Sequence, residues 1–317
     1  MPPDYRQLTI AKDFRVRRSE LTCPGNSLKM MKHAAASGAD EVIFDLEDAV
    51  AVSQKAAARA SVIEALSTLE FGNKVRAFRV NAIQTPWFED DVAHVISGAG
   101  RFVDVVVLPK VQEAAEVRKL DATLQSLEKK HGLPAGRIQI EVLIESAKGV
   151  LHAEAIAAAS PRMASLIFGV ADYAGDVGAR DLSPKRQYAL FHYPRSHLLA
   201  AARAAGIDAI DSVTLQFRDL DQVREDSLAG AQLGFDGKWA IHPTHVSLIH
   251  EAYTPTRLEL HRAVALLKAY AAADIGEGKG AIVVGDEMVD AASLRLAWRQ
   301  VVVGRKAGLL DANDQAV

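Results

Sequence analysis

Apolar runs of strand length alternate along the chain with longer stretches in which apolar residues recur at helical spacing. The eight strand-like runs are RSELTC (18–23), EVIFDLED (41–48), KVRAFRVN (74–81), FVDVVVLPK (102–110), IQIEVLIE (138–145), ASLIFGVAD (164–172), IDAIDSVTLQF (207–217) and GKWAIHP (237–243). Ala-rich amphipathic segments such as 53–69 and 113–130 separate them. The pattern therefore predicts strands and helices in alternation.

Several of these runs are continuously apolar, which is typical of strands buried on both faces in a parallel sheet covered by helices. Eight β-then-α units fit an α/β fold of the (β/α)8 TIM barrel type better than an open sheet. An open dinucleotide-binding sheet is the structural alternative, but no G-x-G-x-x-G follows the first strand. The glycines of GEGKG (276–280) lie outside any strand-to-helix turn, so we interpret them as a loop. Residues 1–254 are assigned to the barrel domain.

The alternation stops after Pro255. A helical stretch, RLELHRAVALLKAYAAA, leads through GEGKG into a predicted hairpin, AIVVGDEMVD, and a last helix. A minimal barrel does not need this tail. We interpret 255–317 as a C-terminal helical lid extension that covers the barrel mouth, with a simple structural buttress as the alternative.

The composition limits the classes of binding partner and the compartments that suit the chain. The chain has 317 residues, a net charge of -3 and 24% charged residues, which gives no basic excess for nucleic acid. A single cysteine, Cys23, excludes an internal disulfide and suits a reducing compartment. Acids interrupt the arginines of the first twenty residues, and no apolar run reaches the length of a membrane span. We therefore expect a soluble cytoplasmic protein without a membrane or nucleic-acid partner.

Two successive strand-like runs each end in a carboxylate. Glu145 follows the run 138–144, and Asp172 follows the run 166–171. If the two strands are parallel neighbours, these acids converge at the mouth of the barrel, where they form a natural seat for a hard divalent cation such as Mg²⁺. The alternative is that both acids only cap the helices that follow them.

Other charged residues also fall at predicted strand ends. Charges at buried strand ends are costly unless they are paired or bind a ligand, so several of them are expected to share one site. For Arg79, which could bind a carboxylate or an enolate oxygen, the alternative is a structural ion pair with Glu47 or Asp48. Asp48 could also cap a helix, and Lys110 could be a solvated strand end. The full set is Asp45, Glu47, Asp48, Arg79, Asn81, Lys110, Glu145, Asp172, Lys238 and His242.

Two other chemistries find little support. His242 and His245 have helical metal-ligand spacing, but H-E-x-x-H is absent and Pro243 is better suited to starting a helix, so a zinc site is not expected. No G-x-S-x-G elbow is present, which argues against a covalent hydrolase.

Eight motifs in order give the chain a family resemblance. They are RSELTCPGN, GADEVIFDLEDAV, FRVN, VVVLPKV, VLIESAKG, FGVADYAGDVG, LGFDGKWAIHP and MVDAAS. Together they resemble the citrate lyase beta-subunit-like (CitE-like) enzymes and the malyl-CoA lyases of the HpcH/HpaI aldolase superfamily. The resemblance covers nearly the whole chain. It implies a Mg²⁺-dependent TIM barrel that cleaves or forms a carbon–carbon bond between a short acyl-CoA and a 2-oxo acid such as glyoxylate or pyruvate.

The resemblance also implies roles for individual residues. The metal, Mg²⁺ or alternatively Mn²⁺, would be held by Glu145 and Asp172. Arg79 would stabilise the thioester enolate, and Asp290 of the M-V-D motif, delivered by the lid of a neighbouring subunit, would act as acid and base. Glu47 and Asp48 complete the candidate catalytic set. A homotrimer or hexamer with lid exchange is the expected assembly.

A second set of residues is predicted to bind the coenzyme A thioester that the resemblance implies, and local Arg or Lys residues are expected to meet an anionic ligand. These candidates are Arg18, Lys29, His242 and Pro243. Two departures from the family pattern leave the substrate open: position 171 is Ala where many relatives carry an acid, and segment 179–196 is compact where malyl-CoA lyases carry an insertion. A CoA-independent pyruvate aldolase and a non-catalytic or complex-bound citrate lyase beta subunit therefore remain as alternatives.

Overall fold

The computed structural model describes residues 15–180, 190–272, 281–285 and 287–310. The chain forms two compact units. One comprises Arg17–Tyr253, and the other comprises Thr254–Val317 with Met1–Val16. The predicted loop at 276–280 and much of the compact segment at 179–196 lie outside the described residues.

The larger unit is a closed barrel of eight parallel strands. The strands are β1 Ser19–Pro24, β2 Glu41–Asp45, β3 Val75–Arg79, β4 Val105–Leu108, β5 Gln139–Ile144, β6 Met163–Phe168, β7 Asp208–Asp211 and β8 Gly237–Ala240. Each strand pairs with the next, and β8 pairs with β1 to close the barrel. The predicted (β/α)8 TIM barrel is therefore confirmed.

Helices follow the strands on the outside of the barrel. Those described in this unit are α1 Leu28–Ala36, α2 Lys55–Thr68, α3 Phe88–Ala99, α4 Ala114–His131, α5 Ala147–Leu151, α6 Ala153–Ala157, α7 Val170–Asp176, α8 His192–Ala205, α9 Leu220–Leu233 and α10 His245–Tyr253. Among the described residues, no helix is both long enough and apolar enough to cross a membrane.

Strand side chains alternate between two apolar cores. One face packs against the helices, and the other fills the barrel interior with buried residues that include Ile43, Ala77, Leu143, Ile167 and Trp239. This interior layer lies between polar side chains at the two ends of the barrel.

Most of the strands are shorter than the runs that predicted them, and two runs show why. The run 164–172 leaves the sheet at Phe168, and Val170 begins helix α7. The run 207–217 contributes only Asp208–Asp211 to the sheet. Apolar residues beyond these points were mistaken for strand because a buried helix start and a buried loop show the same apolar composition as a buried strand.

The unit that contains the tail has its own core. Helices α11 Arg257–Ala272 and α12 Ala291–Lys306 pack through residues that include Leu260, Leu267 and Val301. Strands β9 Ile282–Val284 and β10 Glu287–Val289 pair antiparallel, which confirms the predicted hairpin. The lid function of this segment stays a prediction.

Candidate metal centre at the barrel mouth

The two acids singled out from the sequence lie at neighbouring strands. β5 and β6 are parallel neighbours, with Ile144 paired to Phe168. Glu145 follows β5 directly, whereas Asp172 lies in the first turn of α7. Together with Lys110, both acids line a cavity of about 560 Å³, and the charge of Asp172 acts on the Glu145 carboxyl. The expected convergence at the mouth is thus present in the structure.

Neither acid is the capping residue of its helix. Ser146 caps α5, where its side-chain oxygen accepts the Gly149 N–H at 3.0 Å. Gly169 occupies the cap position of α7, and Asp172 lies three residues further on. The capping alternative does not describe these two carboxylates, so their side chains are available to the cavity.

Gly169 lets the Glu145 carboxyl lie against the start of α7. A Cβ at position 169 would approach Cβ and Oε2 of Glu145 to 2.6 Å, well inside van der Waals contact. A side chain here would therefore displace the carboxylate. A glycine is therefore required three residues before the metal-ligand candidate Asp172.

We expect Gly169→Ala to weaken Mg²⁺ binding by about 10–100-fold, as for other displacements of a ligand's support, because Glu145 must move to admit the methyl group. Isothermal titration with Mg²⁺ measures this. Gly38→Ala is the matched control, since Gly38 is exposed outside this cavity and a Cβ there meets only Val246, at 3.9 Å. Unchanged Mg²⁺ affinity in Gly169→Ala would contradict the proposed position of Glu145.

Lys110 links the acids of three strand ends. Its backbone has φ 56°, the one positive φ at a non-glycine among the described residues. Its N–H donates to Glu145 Oε1 at 2.8 Å, while its Nζ lies 2.8 Å from Glu47, 3.0 Å from Asp48 and 3.9 Å from Asp172. A strained backbone held by such contacts is typical of functional sites. Lys110 is therefore a centre of the mouth cluster and not a solvated strand end.

The charges around Lys110 affect its ionisation. Partial burial acts to lower the pKa of the Lys110 amine, but the contacts with Glu47 and Asp48 outweigh it and raise the pKa. The amine therefore stays protonated at neutral pH. It supplies one positive charge to a cluster in which Glu47, Asp48, Glu145 and Asp172 are all acids.

Arg79 is held by an acid on the adjacent strand. Asp45 and Arg79 are register partners of β2 and β3, and Nε and Nη2 of Arg79 donate to the two Asp45 oxygens at 2.7 and 2.6 Å. Nη1 lies 2.9 Å from Glu47. The ion pair with Glu47 considered from the sequence is thus present, while Asp48 pairs with Lys110 instead. The guanidinium retains further N–H groups, since it carries five.

Asp45 is fixed as an anion that orients Arg79. Burial acts to raise the pKa of Asp45, but Arg79 and the N–H groups of Glu47 and Ala49 lower it below its ordinary value. The Arg79–Asp45 pair is therefore charge-balanced and fixed in geometry. A bidentate pair of this kind holds the guanidinium in one orientation.

Glu145 differs from Asp45 because the negative charges around its carboxyl group outweigh the positive charge nearby. Burial, reinforced by the charges of Glu47 and Asp172 and opposed by Arg79, raises the pKa of Glu145 to about 8. A divalent cation would relieve this repulsion. The donors at the cavity are carboxylate oxygens, the ligands that Mg²⁺ prefers, and the space beside Gly169 seats one of them. The residues present therefore fit a Mg²⁺ ion.

The predicted CoA-binding residues fall at both ends of the barrel. Lys29 is exposed in the first turn of α1, and His242 with Pro243 follows β8, so these three lie beyond the carboxyl ends of adjacent strands. Arg18 instead precedes β1, where its Nε and Nη2 donate to Asp40. Arg18 therefore lies at the opposite end of the barrel from the other three candidates, and its predicted contact with coenzyme A stays a prediction.

The structure removes Lys238 from the predicted set of mouth residues. It lies within β8, is 1% exposed, and its Nζ donates to the Ser212 carbonyl at 2.6 Å. Asp211 and Asp226 act on its charge. Trp239 fills the barrel interior, so the neighbouring Lys238 side chain points to the helix layer.

Asp290, the predicted acid/base, caps the last helix. Its Oδ1 accepts the N–H groups of Ala292 and Ser293 at 2.9 and 3.0 Å. Hydrogen bonds from Ser293 and Ala292 lower the pKa of Asp290. The residue belongs to the unit that contains the tail, and its role in catalysis stays a prediction.

Sequence reasoning underestimated Asp45 and Lys110. Asp45 was included only as one of several acids at the end of β2, although the register pairs it with Arg79. Lys110 follows Pro109 at the end of an apolar strand, which was its only signal. Its contacts depend on a left-handed backbone conformation and on residues that follow three other strands. No local sequence pattern indicates either of these.

The fold and the mouth define a class: a (β/α)8 barrel with a carboxylate-lined cavity, a candidate metal site, at the carboxyl ends of its strands. Residues 18–243 match the family described as HpcH/HpaI aldolase/citrate lyase. The chain belongs to this family.

Curated relatives agree with the family over nearly full length. An L-malyl-CoA/beta-methylmalyl-CoA lyase of Cereibacter sphaeroides is 36% identical over 312 residues, which cover 94% of this chain and 96% of that protein. A citrate lyase subunit beta of Leuconostoc mesenteroides subsp. cremoris is 36% identical over 303 residues, with 96% and 98% coverage. These relatives are named as lyases, and the prediction that the chain is a lyase is confirmed.

Solved structures show the same architecture. CitE from Mycobacterium tuberculosis, in complex with magnesium, acetoacetate and coenzyme A, is 29% identical with a TM-score of 0.72, and the match covers 92% of this chain and 98% of that one. A citrate lyase from Burkholderia xenovorans has a TM-score of 0.83 at 21% identity, with 96% of each chain covered, and supports the fold alone.

Proposed function

We propose that the protein is a Mg²⁺-dependent carbon–carbon lyase of 3-hydroxyacyl-CoA thioesters of the malyl-CoA or citramalyl-CoA type. It would join or separate a short acyl-CoA and a 2-oxo acid such as glyoxylate or pyruvate. The observation that carries the proposal is the cavity lined by Glu145, Asp172 and Lys110, in a family whose solved relatives bind magnesium and coenzyme A.

The metal-ligand candidates give the site its chemistry. Glu145 and Asp172 would hold Mg²⁺, which when bound supplies a Lewis acid that orients the 2-oxo acid and polarises its carbonyl. Lys110 keeps Glu145 in place through its N–H and keeps Glu47 and Asp48 close through its amine. The lysine is thus a positioning residue for the candidate ligand.

Arg79 would stabilise the enolate, and Asp290 would transfer the proton. In the condensing direction, the Asp290 carboxylate accepts a proton from the acyl methyl carbon, and the resulting enolate attacks the 2-oxo carbonyl carbon. Arg79, held by Asp45, would donate a hydrogen bond to the enolate oxygen through an N–H group that its acid partners leave available. The oxygen of the attacked carbonyl, left as an alkoxide, would take a proton from water, and Asp290 would release its own proton to solvent. In the cleaving direction the hydroxyl group would give its proton back to water, the carbon–carbon bond would break, and protonated Asp290 would give its proton to the methyl carbon.

The tail would deliver Asp290 and exclude water. A carboxylate removes a proton from a thioester's methyl carbon effectively only in a site shielded from solvent. In this proposal the tail of a neighbouring subunit closes over the mouth, in a homotrimer or hexamer. Lys29, His242 and Pro243, which lie beyond the carboxyl ends of two adjacent strands, would meet the coenzyme A part of the substrate.

We expect apparent Mg²⁺ affinity to rise with pH. In the metal-free protein Glu145 has a pKa of about 8, so protons compete with the metal below that pH. Competition by one proton predicts an affinity about 50-fold higher at pH 8 than at pH 6, with a plateau above pH 9. Titration calorimetry across this range measures it, and a pH-independent affinity would contradict the assignment of Glu145.

The proposed activity is tested with a panel of acyl-CoA and 2-oxo acid pairs in Mg²⁺, with products identified by mass spectrometry. Acetyl-CoA or propionyl-CoA with glyoxylate or pyruvate is expected to give a condensed thioester. Aldol cleavage of free hydroxy-oxo acids without any CoA compound would indicate a pyruvate aldolase instead. Activity that appears only with co-purified partner subunits would indicate a complex-bound citrate lyase subunit.

A further inference from the structure

The amino-terminal end of the barrel interior holds a second cluster of acids, which the proposed reaction does not use. Glu20 on β1, Glu41 on β2 and Glu141 on β5 are each 0% exposed. One carboxylate oxygen of each lies within 4.8 Å of those of the other two. The three side chains lie on the interior face of the barrel. Trp239, the register partner of Glu20 on β8, and Val107, the register partner of Glu141 on β4, lie on the same face.

The charge of this cluster is not balanced by the described residues around it. Arg17 is the cation that contacts it: Nε lies 2.8 Å from Glu141 and 3.2 Å from Glu41, and Nη1 lies 3.1 Å from Asp208. One guanidinium therefore faces the carboxyls of Glu20, Glu41, Glu141 and Asp208. Burying such an excess of negative charge is strongly unfavourable unless protons or a cation neutralise it.

Several oxygens in this region also lack a hydrogen-bond donor. Neither carboxylate oxygen of Glu20 has a hydrogen-bond partner among the described residues, and the same holds for the Ser165 hydroxyl. Ser165 is 0% exposed and is the register partner of Glu141 on one side and Asp208 on the other. Its hydroxyl thus shares the interior face of the cluster and adds a neutral oxygen donor beside the acids.

We propose that Glu20, Glu41 and Glu141, with the Ser165 hydroxyl beside them, form a closed structural site for a hard divalent cation at the amino-terminal end of the barrel. The donors are all oxygens, as Mg²⁺, Mn²⁺ and Ca²⁺ require. A spacing of up to 4.8 Å between ligand oxygens suits opposite positions around one ion, because metal–oxygen distances are about 2.0–2.6 Å. The ion would neutralise the excess charge that Arg17 leaves.

The site differs from the mouth in access. Its unpartnered oxygens have almost no exposed area, whereas Asp172 at the mouth is 44% exposed. The buried ion would therefore enter during folding and leave only when the barrel opens. It would stabilise the fold without taking part in catalysis. Burial raises the pKa of Glu20 and of Glu41, so without the ion these carboxyls would hold protons instead.

The test uses the full chain with the mouth blocked by Glu145→Gln and Asp172→Asn. This variant is produced in medium supplemented with Mn²⁺, dialysed against EDTA, and measured by inductively coupled plasma mass spectrometry and by Mn²⁺ electron paramagnetic resonance. About one equivalent of divalent metal per chain should survive the dialysis, because a closed structural site releases its ion slowly. Adding Glu20→Gln or Glu141→Gln should reduce the retained metal at least tenfold.

Glu128→Gln in the same background is the matched control. Glu128 is as buried as the cluster acids, but it is paired with Arg162 at 2.8 and 2.7 Å, so its replacement should lower stability and leave the metal content unchanged. A mouth-blocked protein that holds no EDTA-resistant metal would overturn the proposal and assign protons to the cluster. That result does not require any cluster variant to fold, and it leaves the proposed lyase activity untouched.

Discussion

Glu145→Gln is expected to abolish Mg²⁺-dependent turnover, with a loss of at least about 10³-fold in kcat/KM, because it removes a ligand of the ion that polarises the carbonyl. Asp172→Asn should act similarly. Glutamine keeps the size of the side chain, and its carbonyl oxygen can still accept the Lys110 N–H. The fold should therefore persist, and the loss should reflect the metal.

A measurement of thermal stability and a control variant separate this loss of activity from unfolding. Wild-type protein should gain thermal stability on addition of Mg²⁺, because a ligand that binds only the folded state stabilises it, whereas Glu145→Gln should gain none from the mouth. Glu89→Gln is the matched control, since Glu89 is an exposed surface acid paired with Lys119 and its replacement makes the same charge change. Full activity in Glu145→Gln or Asp172→Asn would rule out the metal assignment.

Asp290→Asn is expected to lower kcat by about 10²–10⁴-fold, the usual contribution of a positioned acid or base. Asparagine is as good a helix cap as aspartate, so the hydrogen bonds to Ala292 and Ser293 should survive. Asp290→Ala would remove both the cap and the proton carrier. The asparagine variant should therefore keep its melting temperature and its KM for the 2-oxo acid while kcat falls.

The control for this prediction is another aspartate that caps a helix. Asp219 caps α9, where its side chain accepts the Gln222 N–H at 3.0 Å. Asp219→Asn should leave both stability and turnover unchanged. Unchanged kcat in Asp290→Asn would reduce Asp290 to a helix cap and would require another residue to carry the proton.

The sequence predicted the barrel well because burial on both faces leaves a strong local signal. Continuous apolar runs such as 105–108 and 142–144 indicate strands of a parallel sheet irrespective of their neighbours. Glu145 was recognisable for the same reason, since an acid directly after a buried strand stands out. The end of a strand is harder to recognise from sequence when a buried helix follows it. For this reason the pattern places Asp172 at the end of β6 and not within α7.

Contacts between strands were beyond sequence reasoning. Pairing Asp45 with Arg79, or Glu20 with Glu41, requires the register of the sheet, and a one-residue slip would separate them. The contacts of Lys110 require its positive φ in addition. Arg18 was predicted to bind coenzyme A because its charge was visible, whereas its position before β1 and its Asp40 partner were not.

The most direct test of the central claim is the cleavage of malyl-CoA by the purified protein, followed by the release of acetyl-CoA and glyoxylate with Mg²⁺ and with excess EDTA. We predict turnover that requires Mg²⁺ in the wild-type protein and is absent from the Glu145→Gln, Asp172→Asn double variant. If malyl-CoA proves a poor substrate, citramalyl-CoA is assayed in the same way. Cleavage of either thioester at equal rates with EDTA and with Mg²⁺, or by the double variant, would contradict the account.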